Sequence, residues 1–146
     1  MTDAAGDVWV LNSTGVTELP VGNYDAGQTN YTPGGFDCNA GVGTGYNCPI
    51  GIAVDGARSL WIVADASLNV VELPAANYSQ ALSFPVPGLS YEFLSSIAID
   101  QAGNVWAANL ESSTISELVG LAKPVMTPLQ TCLALETSNP GQDCVP

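Results

Sequence analysis

An all-β fold made of repeated four-stranded antiparallel blades is predicted by three observations. A segment with Asp at its head, Trp six residues later and Glu-Leu at its end occurs three times in 146 residues. Short apolar runs alternate with Gly, Asn, Asp and Ser turns, the pattern of strands and tight hairpins. No helical period recurs. Units of this size, with their tryptophans 52 and 45 residues apart, match the blades of a β-propeller.

The first copy runs Asp3-Ala-Ala-Gly-Asp-Val-Trp-Val-Leu-Asn12 and ends in Val16-Thr-Glu-Leu19. The second runs Asp55-Gly-Ala-Arg-Ser-Leu-Trp-Ile-Val-Ala64 and ends in Val70-Val-Glu-Leu73. The third runs Asp100-Gln-Ala-Gly-Asn-Val-Trp-Ala-Ala-Asn109 and ends in Ile115-Ser-Glu-Leu118. In each, the Asp opens a hairpin turn, because its carboxylate accepts backbone N–H groups while Gly or Asn takes positive φ. The Trp strand follows, then a turn, then a strand ending in Glu-Leu. Ile52–Val54 and Ile97–Ile99 supply an inner strand before the second and third copies, with small Ala53 and Ala98 where strands crowd the propeller axis. Trp9, Trp61 and Trp106 form the repeat core, filling the wedge between twisted neighbouring sheets. The blades are expected near residues 1–31, 50–88 and 95–128, with an insert loop at 27–49 and a disulfide-closed tail at 129–146.

Gly51-Ile-Ala-Val-Asp55 with Leu60–Val63, and Ser96-Ile-Ala-Ile-Asp100 with Gly103–Asn109, resemble the NHL repeat and the blades of streptogramin-lyase-like bacterial propellers. The segment Glu117–Pro128 is similar to the stretch that follows the last blade in many such proteins. The resemblance implies the propeller fold and says little about function, since propellers host enzymes and binding platforms alike. It would also imply elimination chemistry using histidine, and this sequence contains none.

Three blades cannot close a ring that ordinarily takes four to eight, and nothing apolar precedes Asp3 to form an inner strand for the first. The chain is therefore expected either to be completed by oligomerisation or to be the C-terminal portion of a longer propeller. Open inter-blade faces invite pairing with another chain.

Fourteen acidic residues against Arg58 and Lys123 give a net charge of -12. Such a surface cannot displace the counterions of a nucleic acid, and no apolar run spans a bilayer, so nucleic acid and membrane insertion are excluded as partners. Cys38 with Cys48 and Cys132 with Cys144 are read as two loop-closing disulfides, which places the protein outside the cell, at its surface or in the periplasm. No export signal precedes the first repeat, so the expectation is either that the signal has been removed or that this start is not the natural one. With no histidine and no Cys-x-x-Cys, neither a metal site nor a cofactor is expected.

Catalysis lacks a nucleophile elbow, a Cys–His pair and a phosphate loop, and the protein is read as a non-enzyme. Departures from the repeat carry the candidate ligand residues instead. Tyr31, Phe36 and Tyr46 lie in the insert loop, Tyr91 and Phe93 before the third blade. Their rings either stack on a sugar or a protein surface, or pack the loops onto the blades. The expectation is a non-catalytic module for protein or carbohydrate recognition, for self-assembly, or for both. The alternative is a portion of a propeller enzyme of lyase or hydrolase type.

Overall fold

The computed structural model describes residues 1–25, 27–38, 48–65, 67–88 and 94–125. Among them the regular structure is all strand: β1 (Val8–Asn12), β2 (Gly15–Leu19), β3 (Thr29–Tyr31), β4 (Pro49–Val54), β5 (Leu60–Ala64), β6 (Asn69–Leu73), β7 (Leu82–Pro85), β8 (Leu94–Ile99), β9 (Val105–Asn109) and β10 (Thr114–Leu118). They form three antiparallel sheets, β1-β2-β3, β4-β5-β6-β7 and β8-β9-β10, each a propeller blade.

The registers superimpose. Trp9 pairs with Glu18, Trp61 with Glu72 and Trp106 with Glu117. On the inner side Ala53 pairs with Trp61 and Ala98 with Trp106. The middle blade has four strands. The third has three among the described residues. The first carries more of an inner strand than its sequence promised: Thr2 bridges Val8, and Met1 and Trp9 exchange main-chain bonds, matching the last residues of β4 and β8.

Alternation along each strand separates two faces, and the faces set the packing. The Trp9 face of the first blade, with Val16, packs on Leu60, Ile62, Ala64 and Leu73 of the second. The Trp61 face of the second, with Val63 and Val70, packs on Leu94, Ile97, Val105 and Ala107 of the third. Each blade thus presents a tryptophan face to the aliphatic face of the next.

Candidate functional site

Each blade begins with a hairpin whose Asp is fully engaged. Asp3 Oδ1 accepts the N–H groups of Ala5 and Asp7, and Oδ2 accepts the Trp9 indole N–H at 3.1 Å. Asp55 does the same with Ala57, Ser59 and Trp61, and Asp100 with Ala102, Asn104 and Trp106. The carboxylate closes the turn and pins the indole, which explains the six-residue Asp–Trp spacing. Hydrogen bonds from Trp106 and the turn amides hold the Asp100 carboxyl down at about 2. Burial alone would raise Asp3. Hydrogen bonds from Trp9, Arg58 and Asp7 and the charge of Arg58 outweigh it, so this carboxyl too lies below its usual value.

The fourth turn position takes positive φ in all three hairpins: Gly6 at 91°, Arg58 at 70° and Gly103 at 85°. Arginine at a glycine position is strained, and here its side chain crosses to the first blade. Its Nε donates to Asp3 Oδ2 at 2.9 Å, and a terminal guanidinium nitrogen donates to Asp7. Asp3 and Asp7 raise the affinity of the guanidinium for its proton against the opposing effect of burial.

Above this ion pair sits an aromatic cluster. Tyr78, from the loop after β6, meets Trp9 edge-on at 4.7 Å and Tyr31 at 5.2 Å between centroids. Tyr31 donates its hydroxyl to Glu18 at 2.8 Å, while Tyr78 donates to the Arg58 carbonyl. Burial first, then the Glu18 hydrogen bond and charge, push the Tyr31 phenol up to about 12. At neutral pH both phenols are therefore neutral donors, and Glu18 acts as the acceptor for Tyr31.

Of the aromatic residues singled out in the sequence, Tyr31 is half-buried in this cluster. Phe36 is buried in the same core, on the blade side of the insert loop. Tyr46, Tyr91 and Phe93 lie outside the described residues. Trp9 and Trp61 are buried at blade junctions, whereas Trp106 is only half-buried. Cys38 and Cys48 form a disulfide with Cα atoms 4.3 Å apart. Cys132 and Cys144 lie outside the described residues. Tyr78 and Arg58 are the residues the repeat reading missed. The signal for Arg58 is its place where the other two hairpins have glycine, and that for Tyr78 is a second repeat, Glu18-Leu-Pro-Val-Gly-Asn-Tyr24 against Glu72-Leu-Pro-Ala-Ala-Asn-Tyr78. In both copies the Tyr hydroxyl donates to the carbonyl of the positive-φ residue, Gly6 or Arg58.

Two concavities flank these features. A depression of about 460 Å³ lies where the inner strands converge, lined by Met1, Thr2, Ala53, Val54, Ala98 and Ile99 among others. A smaller one of about 140 Å³ lies between the Gly34–Phe36 turn and the outer edge of the second blade, beside Asn69 and Ser83. Among the described residues no cluster of three or more His, Cys, Asp or Glu side chains is arranged to hold a metal.

No family model matches the sequence, and no curated protein matches it. Among solved structures the chain is similar to a streptogramin B lyase, with a TM-score of 0.61 and 16% identity over 84% of this chain and 37% of that one. It is also similar to a catalytically inactive virginiamycin B lyase from Staphylococcus aureus solved with quinupristin, with a TM-score of 0.52 and 14% identity over 82% of this chain and 39% of that one. The chain spans less than two fifths of either protein. At such identity the likeness establishes the propeller fold.

Proposed function

We propose that this chain acts outside the cytoplasm as a non-catalytic propeller module for recognition and assembly. The observation that carries the reading is the engagement of its repeated carboxylates. Asp3, Asp55 and Asp100 each spend both oxygens on the same three donors. Acids locked into architecture are poorly placed to shuttle protons, and no histidine is available to replace them. The Cys38–Cys48 bridge supports an oxidising compartment.

The surface we assign to recognition is the Gly34–Phe36 turn, which precedes the Cys38–Cys48 bridge and borders the 140 Å³ cavity. A glycan array tests the carbohydrate arm: binding abolished by reduction of the disulfide is expected for a sugar, and silence across the array assigns the turn to protein partners.

The second reading, a portion of a lyase, draws on the structural likeness to streptogramin B lyase. The direct test is incubation of the purified chain with quinupristin, followed by mass and retention analysis. The expected result is unchanged ligand. Conversion of quinupristin to a new product by this chain would overturn the non-catalytic reading.

A further inference from the structure

Equivalent positions of the three blades have unequal fates. Val16 and Val70 occupy one repeat position on the tryptophan face, opposite Leu11 and Val63, and both are fully buried at blade junctions. Ile115 holds that position in the third blade, opposite Ala108, and is 70% exposed. Around it Trp106 and Ala108 are half-buried, and Ser96, Ala98 and Glu117 are exposed.

The aliphatic face shows the converse. The residue after each tryptophan is Val10, Ile62 or Ala107. Ile62 and Ala107 are fully buried against the preceding blade, whereas Val10 is 44% exposed. The same face carries a polar pair. In the third blade Asn109 donates its amide to Ser116 and Thr114 and is buried; in the first, Asn12 donates to Thr17 and lies only half-buried. The first blade therefore displays an aliphatic face built like the one covered at the 2–3 junction. The third displays a tryptophan face built like those covered at both junctions.

From this complementarity we infer that the open faces receive each other: the Trp106–Ile115 face of one copy docks on the Val10 face of a second copy, repeating the junction already formed twice inside the chain. The inference rests on reading the chain as an assembly module. The joint is heterologous, so it propagates either to a closed ring or to an open row of copies. A second copy is the occupant because its end face has the register, strand spacing and chemistry that the internal junctions use. An unrelated partner would have to imitate a blade.

The test uses sedimentation velocity and light scattering on the full chain and on two single variants, Val10→Asp and Ile115→Asp. Both positions are exposed, so each variant should keep the wild-type far-ultraviolet dichroism and melting transition. The wild type is expected to exceed monomer mass at micromolar concentration. Each variant alone is expected to be monomeric, with apparent affinity lowered about a hundredfold by the charge placed in an apolar joint. Mixed together, they should form a 1:1 complex and nothing larger, since one intact face remains on each. A wild type that stays monomeric up to its solubility limit overturns the inference. So does association that survives both variants, or a mixture that stays monomeric. None of these outcomes bears on quinupristin turnover, so this joint and the non-catalytic reading fail separately.

Discussion

Asp55 shows how much one side chain carries in this fold. Besides two turn amides and the Trp61 indole it accepts the Lys123 N–H at 3.1 Å, tying the segment after the third blade to the second. Asp55→Ala strands donors that are largely shut off from water, and we expect a loss of about 3 kcal/mol, read as a lower urea midpoint at unchanged slope. Arg58 separates two opposed effects. Arg58→Gly relieves the positive φ but removes the bonds to Asp3 and Asp7, whereas Arg58→Ala removes the bonds and keeps the strain. The glycine variant should therefore be more stable than the alanine variant by about 1 kcal/mol in the same urea experiment. The acid limb follows from Asp100 and Asp3, whose carboxyls are held below their usual value of 3.8. A depressed carboxyl stabilises the fold fully above its unfolded value, and that contribution is lost as pH falls from there through about 2. Urea midpoints measured across this range should fall with pH, and Asp100→Asn should flatten part of the slope.

At the scale of strands and loops, the hairpins were the legible part. A carboxylate, a turn and a tryptophan six residues on belong to one local unit, so spacing alone reveals them. Glu18 was not legible in that way. The repeat makes it equivalent to Glu72 and Glu117, yet it accepts the Tyr31 hydroxyl, because β3 brings Tyr31 opposite Val16, beside the Trp9–Glu18 pair. Tyr78 was hidden for a related reason: its partners Trp9 and Tyr31 are 69 and 47 residues away, and only the packing of two blades joins them. Arg58 lies where the other hairpins have glycine, and that departure was the available signal. The insert loop is closed locally by Cys38 and Cys48, ten residues apart. Chain-entropy arguments assign such a bridge about 2–3 kcal/mol. Replacing both cysteines by serine should lower stability by that amount without altering the blades, which calorimetry together with far-ultraviolet dichroism would resolve.

For the whole molecule, the unequal burial of repeated positions has an electrostatic consequence. Two copies that dock head to tail bring together surfaces from chains of net charge -12. At the internal 1–2 junction the entering hairpin offers Arg58 to two aspartates, but at the copy-to-copy joint the entering hairpin is that of the first blade, which carries Gly6 in that place. The joint therefore relies on Trp106, Ala108, Ile115 and Val10 and has no such ion pair to lose, while long-range repulsion opposes it. Salt shortens the screening length from about 10 Å at 0.1 M to about 3 Å at 1 M, which removes repulsion and leaves apolar burial intact. Association followed by sedimentation velocity should therefore strengthen as sodium chloride is raised across that range. Weakening with salt would mean that ion pairs hold the copies together, and the Trp106 and Val10 faces would then be the wrong surfaces.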